Sequence, residues 1–332
     1  MCTQLKVTFE QIISFENLLE AWQEFIRGKR NKQDVQFFGL HLMDNLADLH
    51  LDLAHQTYQH GSYHAFSISD PKPRNIHKAS VRDRVLHHAI YRKLYPFFDH
   101  TFIADSYSCR NKKGTHKTLE RLTAMANQVS ANHTKTCWVL KCDITKFFAS
   151  INQDILLYIL GLYIPDEKIL WLLQKTITSF STKERTGLPL GNLTSQLLVN
   201  IYMNQFDQYV KHILKARHYI RYADDFVFLS NSHHLLERQV RFIQIFLEQC
   251  LLLSLHPHKV SIQTLASGVD FLGWVHFPNH RVLRTTTKKR MERRLAVNSE
   301  RPTLASYLGM LSHGDTQRIR GEMLNKYWRP IN

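Results

Sequence analysis

The sequence is short of cysteine, and the five it has, Cys2, Cys109, Cys137, Cys142 and Cys250, include no Cys-x-x-Cys spacing and are odd in number. That argues against a disulfide framework and against a zinc site. Glycine and proline are also scarce, at 12 and 9 in 332 residues, and no Ser/Gly/Pro-rich linker or short-period repeat is visible. Interlocked subdomains are therefore expected rather than beads on a string. Long apolar runs are missing too: the longest, residues 155–164, is too short to span a bilayer and stops at Pro165. The N-terminal segment through Lys6 has no apolar signal-peptide core. These absences predict a reduced, cytoplasmic protein with no membrane partner. Acidic residues fall short as well, 28 against 43 Lys and Arg, which leaves a net charge of +15 before any of the 20 His is protonated. Such a surplus points to a polyanionic partner, with nucleic acid first. The 44% hydrophobic content is ample for a core, and the length allows two or three subdomains.

The most informative stretch is Tyr222, Ala223, Asp224 and Asp225, flanked by the β-prone runs 219–222 and 226–229 as in a hairpin. Asp is at home in turns, so an Asp-Asp pair alone proves little. Adjacent carboxylates between apolar strands nevertheless repel, and a divalent cation would relieve that repulsion. A third carboxylate stands upstream, where the apolar run 137–142 has the composition of a buried strand and ends on Asp143 and Ile144. A charged Asp is rarely placed on a buried strand without a partner. Together Asp143, Asp224 and Asp225 suit two hard cations about 4 Å apart, an arrangement used for in-line phosphoryl transfer.

Asp143 with Phe148 five residues on, followed by Tyr222 to Asp225, resembles motifs A and C of the reverse transcriptases; the resemblance covers roughly residues 65–315. It implies an α+β, right-hand polymerase fold of fingers, palm and thumb, with an antiparallel palm sheet packed on helices. The implied limits are a helical extension over residues 1–60, fingers over 61–136, palm over 137–285 with a fingers insertion at about 157–186, and thumb over 286–332. The implied activity is RNA-templated DNA synthesis with two Mg²⁺ ions, for which Mn²⁺ can substitute. Asp143 and Asp224 would ligate both ions, the Ile144 carbonyl would assist one, and Asp225 would be a supporting acid near the primer end.

The same resemblance assigns further roles. Phe148 corresponds to a steric gate that rejects a 2′-hydroxyl. Lys72 and Arg74, in a strand-and-turn segment, resemble the fingers residues that clamp an incoming triphosphate. Arg110, ahead of a Gly114 turn into a helix, is expected at the nucleotide or template, with Lys112, Lys113 and Lys117 along the template backbone. Lys259 resembles the motif D lysine that protonates the pyrophosphate leaving group, although a solvated lysine is equally compatible. Gly273 lies in a hairpin like the primer grip. The run 281–294 is read as a helix, and its Lys288, Lys289, Arg290, Arg293 and Arg294 suit a thumb tracking duplex phosphates. About 18 residues follow the last thumb-like segment, so no RNase H, maturase or endonuclease domain is expected.

Residues 187–196 form a glycine-bearing loop leading into a helix and resemble motif B, with Leu190, Gly191 and Gln196 against the nascent base pair and template. Many reverse transcriptases have Gln at the Leu190 position and Ser-Pro where this chain has Ser195 and Gln196. The spacing from Gly191 to Ser195 and Gln196 resembles the enzymes of diversity-generating retroelements, which copy a template RNA with errors concentrated at adenines. That subgroup implies dNTPs, template RNA, an RNA/cDNA duplex and a small basic oligomeric accessory variability protein as partners. Retron, group II intron-like and phage-defence reverse transcriptases are the alternatives within the class. A non-catalytic RNA-binding module is the alternative outside it, and the presence of all three acids argues against that. At the N-terminus, apolar spacing predicts packing helices over 14–28 and about 34–56, and Ser150 with Gln153 reads as a capping box.

Overall fold

The computed structural model describes residues 3–69 and 73–327. Four helices open the chain: α1 (Phe9–Ile13), α2 (Phe15–Phe25), α3 (Gln33–Leu40) and α4 (Leu42–Ala54). The Thr8 and Ser14 side chains accept from the Gln11 and Asn17 N–H groups and so fix the first two starts. The single helix expected from about 34 to 56 is two, because His41, at φ −120° and ψ 42°, interrupts it. An antiparallel hairpin follows, β1 (His64–Ile68) and β2 (Arg74–Lys78), and then α5 (Val81–Thr101) and α6 (Thr115–Val129). Gly114, at φ +107°, makes the turn into α6.

The middle of the chain runs β3 (Trp138–Asp143), α7 (Phe147–Ser150), α8 (Gln153–Tyr163), α9 (Glu167–Thr178), α10 (Leu193–Gln208), β4 (Tyr219–Tyr222), β5 (Asp225–Ser230) and α11 (His233–Cys250). The expected capping box at Ser150 is not formed. Asn152 caps α8 instead, accepting from the Ile155 N–H at 2.9 Å, while the Ser150 hydroxyl donates to the Thr145 carbonyl. Gln153 is buried and donates to the Ile177, Phe180 and Gly187 carbonyls, tying α8 to the end of α9 and to the loop before α10. The chain closes with β6 (Ser261–Thr264), β7 (Val269–Phe271), β8 (Trp274–His276), β9 (Arg281–Leu283), α12 (Thr285–Val297), α13 (Arg301–Leu311) and α14 (Gln317–Tyr327). The start of the expected 281–294 helix is thus a strand: Arg281 to Leu283 pair with β8, and the helix begins only at Thr285.

The fold is α+β, and every pairing between its named strands is antiparallel. The central sheet has the order β4-β5-β3-β6, and a second sheet has the order β7-β8-β9. Strand periodicity divides the central sheet between two cores. Leu140, Cys142, Tyr219, Phe226 and Phe228 pack with the helices of the N-terminal and middle segments. Val139, Ile220, Val227 and Leu229 pack on the other face with α6, the second sheet and the C-terminal helices, through Leu122, Trp274, Met291 and Leu311. Covering both faces leaves only the sheet ends open, and the acidic residues stand at one of those ends.

Candidate active site

β3 is the inner strand between β5 and β6, and its last residue, Asp143, pairs in register with Asp225, the first residue of β5. Tyr222 pairs with Asp225 across the β4–β5 hairpin, so Ala223 and Asp224 form the turn. Two chain segments about eighty positions apart are thereby brought to one sheet end by the pairing register, with Asp224 projecting on the turn beside them. Ala223 adopts φ +57°, a left-handed conformation that costs a non-glycine residue roughly 1 kcal/mol. Its carbonyl is held from behind by the Arg221 guanidinium, 3.1 Å away.

Arg221 is fully buried and is satisfied donor by donor. Its Nε and Nη2 fork the Asp207 carboxylate at 2.8 and 2.7 Å, Nη1 reaches Asn200 Oδ1 and the Ala223 carbonyl, and Nη2 also donates to Ser106 Oγ at 3.0 Å. The Tyr219 hydroxyl donates to Asp207 Oδ1 at 2.7 Å. The acidic turn therefore rests on an ion pair between β4 and α10, neither partner of which touches solvent.

The acids themselves are unevenly compensated. Lys259 Nζ lies 2.7 Å from Asp143 Oδ2, and the Asp143 carbonyl accepts from the His256 N–H. Burial, followed by the Asp143 charge, raises the Asp224 carboxyl above its ordinary value, while its backbone hydrogen bond, Lys259 and Arg74 pull the other way. Burial pushes the Asp225 carboxyl up to about 7, assisted by Asp143, Asp224 and Asp270 and opposed by Lys141. Lys141 Nζ is 3.8 Å from Asp225 Oδ2, and Asp225 Oδ1 is buried with no hydrogen-bond partner among the described residues. Among the described residues no three His, Cys, Asp or Glu side chains converge tightly enough to cage an ion as they stand. The donors are nonetheless hard carboxylate oxygens, two of them held in a state that a cation would relieve, and so fit a divalent ion of the Mg²⁺ type.

The family model described as reverse transcriptase (RNA-dependent DNA polymerase) matches residues 69–276, which include Asp143, Asp224 and Asp225. The chain belongs to the reverse transcriptase family. It is 26% identical over 261 residues to Protein YkfC of Escherichia coli (strain K12), a match covering 66% of each chain. It is 25% identical over 140 residues to an uncharacterized 91 kDa protein in cob intron of Schizosaccharomyces pombe, covering 40% of this chain and 16% of that one. It is 21% identical over 277 residues to a putative COX1/OXI3 intron 2 protein of Saccharomyces cerevisiae, covering 64% of this chain and 30% of that one. The chain thus spans 66% of YkfC and less than a third of either intron protein.

Arg74 opens β2, is exposed, and acts electrostatically on Asp224; Lys72 lies outside the described residues. Phe148 sits on α7, packed edge-on against Phe147, with its carbonyl accepting from the Leu188 N–H. The Leu190 carbonyl accepts from the His77 N–H, so the loop before α10 is laced to β2. Gly191 has φ +109°, and a Cβ there would lie 2.8 Å from Ile76 Cγ2. Gln196, on the first turn of α10, lines the same recess as Gly191, Ile76 and Lys78.

Arg110 is a correction. Its guanidinium is bound to Asp99 at 2.7 Å and to the Ile103, Ser106 and Asp99 carbonyls, so it braces the loop after α5 instead of presenting itself to a nucleotide. Lys113 is likewise engaged, donating to the Ala104 carbonyl over the Tyr107 ring, whereas Lys112 and Lys117 are exposed. Gly273, at φ +86°, follows Leu272 at φ +51° in the β7–β8 turn, the positive-φ pair that a two-residue hairpin requires. That turn and the α12 residues Arg290, Arg293 and Arg294 line one cleft of about 1170 Å³, which Thr115 of α6 also borders. Lys289 is exposed, and Lys288 pairs with Glu292 at 3.7 Å. Sequence reasoning missed Arg221 and Asp207. The available signal was a charge inside the otherwise apolar and aromatic run 219–222, a pattern that demands a buried counter-charge.

Proposed function

We propose that this chain is an RNA-directed DNA polymerase with a right-hand fold, extending a primer by nucleotidyl transfer at Asp143, Asp224 and Asp225. The observation that carries the reading is the Asp143 to Asp225 register, which gathers three carboxylates at one sheet end, with Lys259 paired to Asp143, Lys259 and Arg74 acting on Asp224, and Lys141 on Asp225. Asp143 and Asp224, with the Ile144 carbonyl, are the residues that would hold two Mg²⁺ ions, and Asp225 would support them near the primer end. Bound there, the ions supply activation of the primer 3′-hydroxyl and neutralisation of charge on the transferred phosphoryl group. Arg74, with Lys72, would fork the triphosphate oxygens and hold the α-phosphate in line. Lys259, on exchanging Asp143 for the departing pyrophosphate, would donate it a proton. Phe148 would close the space a 2′-hydroxyl needs. Exposed Lys112, Lys117 and Lys289, with the arginines of α12, would follow template and duplex phosphates. Replacing Asp143 or Asp224 with Asn should abolish Mg²⁺-dependent primer extension while sparing RNA binding. Extension by both variants at the wild-type rate would remove the assignment.

Within that class we infer a diversity-generating retroelement enzyme making adenine-mutagenised cDNA, with a small basic oligomeric accessory protein as partner. The support is the run from Leu190 to Gln196, with Leu and Gln where many reverse transcriptases carry Gln and Pro. A group II intron-like role is the second reading, favoured by the two relatives whose names place them in introns. Sequencing cDNA made on one RNA decides between them: errors clustered opposite adenine support the first, and a flat error spectrum supports the second.

A further inference from the structure

In a chain of net charge +15, no Lys or Arg occurs between Lys32 and Lys72. That stretch builds α3, α4 and β1, and α3 and α4 contribute Asp34, Asp44, Asp48 and Asp52. Two of these acids are used internally. Asp34 binds Lys78 and Arg84 at 2.6 and 2.7 Å, and Asp52 binds Arg82 at 2.5 Å, contacts that tie the helices to β2 and α5. Asp44 and Asp48 are exposed, and among the described residues no cation pairs with either.

Alongside them lies an apolar stripe. Leu46, Leu49 and Leu53 bury one side of α4 in the N-terminal core. Met43, Ala47 and Leu51, spaced four residues apart, run along another side, parallel to Asp44 and Asp48. On α3, before the His41 break, Phe37 and Leu40 are exposed as well. Phe37, Leu40, Met43 and Leu51 are 70, 76, 57 and 51% exposed, which is unusual for large apolar side chains gathered on one helix pair. Nucleic acid does not account for the face, because Asp44 and Asp48 repel phosphate and, among the described residues, no cation pairs with them. Anionic lipid is disfavoured on the same ground.

We propose that the outer face of α3 and α4 docks a basic protein partner through an amphipathic helix. Its apolar ridge would cover Phe37, Leu40, Met43 and Leu51, and its Lys or Arg side chains would pair with Asp44 and Asp48. Apolar burial supplies the affinity and the two carboxylates supply orientation and the choice of a cationic partner. The face uses none of the acids at the sheet end, so this docking can fail while the polymerase reading stands, and the reverse.

The test uses the full chain and a fluorescein-labelled synthetic amphipathic helix of leucine and lysine, read by fluorescence anisotropy at low and high salt. Tighter binding to the wild type than to Leu40→Ser/Met43→Ser or Asp44→Lys/Asp48→Lys, by about tenfold or more, is expected. A leucine and glutamate helix should instead prefer the Asp44→Lys/Asp48→Lys variant. The substituted side chains are exposed, and unchanged binding of a single-stranded RNA would show that the variants fold. Equal binding of the lysine helix to all three proteins would overturn the proposal. So would sedimentation showing that the wild type self-associates and the charge variant does not, since the occupant would then be a second copy of this chain.

Discussion

Replacing Arg221 with Met would leave the Asp207 carboxylate in a site where both partners have no exposure at all. Breaking a buried pair from one side typically costs about 3–5 kcal/mol, because the remaining charge is neither hydrated nor paired. Asp207 would keep only the Tyr219 hydroxyl as donor, and Asn200 and the Ala223 carbonyl would each lose one. We expect Arg221→Met and Asp207→Leu each to fall in that range. The double variant should recover much of the loss, since it buries no charge, although it orphans the Tyr219 hydroxyl at about 1–3 kcal/mol. Adding Tyr219→Phe should recover most of that remainder.

Activity should not follow stability along this series. The Ala223 turn sits in a conformation disfavoured by roughly 1 kcal/mol, and the Arg221 hydrogen bond to its carbonyl is the contact that offsets it. The restabilised double variant lacks that contact, so its Asp224 should be less well placed and extension slower by about tenfold, the equivalent of 1.4 kcal/mol. Unfolding midpoints in denaturant and single-nucleotide extension rates measure the two effects separately. An Arg221→Met variant within 1 kcal/mol of wild type, or a double variant no more stable than the worse single, would refute the reasoning.

Other expectations follow from the same contacts. Gly191→Ala should raise the KM for dNTPs and lower stability, since its Cβ meets Ile76 at 2.8 Å and its φ is +109°; Ile76→Ala should restore part of the loss, and no rescue would argue against the contact. Burial depresses the imidazoles of His87, His88 and His276 to about 3, 4 and 4 from an ordinary 6.5. Below pH 6.5 the unfolded chain therefore binds protons that the folded chain refuses, so their contribution is complete above pH 6.5 and is lost as pH falls toward 4. At pH 5 the well-buried His87 and His276 each cost about 2 kcal/mol and the part-exposed His88 less, and an unfolding midpoint unchanged between pH 7 and pH 5 would contradict it. Leu190→Gln should lower misincorporation opposite template adenine more than opposite guanine, because one added hydrogen bond is worth about 0.5–1.5 kcal/mol; an unchanged error spectrum in sequenced cDNA would remove Leu190 from the explanation.

Short-range signals were legible in the sequence. The runs on either side of Ala223 and Asp224 read as strands, and they are β4 and β5. Glycines at 114 and 273 read as turn residues, and both have positive φ. Two side chains that did not read correctly are claimed by partners outside their own segment. Ser150 and Gln153 have the spacing of a capping box, but Gln153 gains three carbonyl acceptors from residues 177–187 by turning inward, which leaves the cap to Asn152. Arg110 has the setting of a phosphate ligand, yet Asp99, eleven positions earlier at the end of α5, takes it first.

The same logic explains why the acids were easier to find than what positions them. Asp143, Asp224 and Asp225 interrupt or end apolar runs, and such interruptions are visible wherever a strand composition is. Arg221 interrupts one too, but alone it says only that a counter-charge exists, and α10 and its approaches offer several polar candidates. Asp207 is fixed as the partner only once α10 lies across β4, because its carboxylate then accepts from Arg221 and Tyr219 together. Catalytic candidates are recognised by the chemistry they carry, whereas the residues that aim them are recognised by what they touch. Here those two kinds of residue are adjacent in sequence, with Arg221 two positions from the turn it braces and the other half of its ion pair on a separate element.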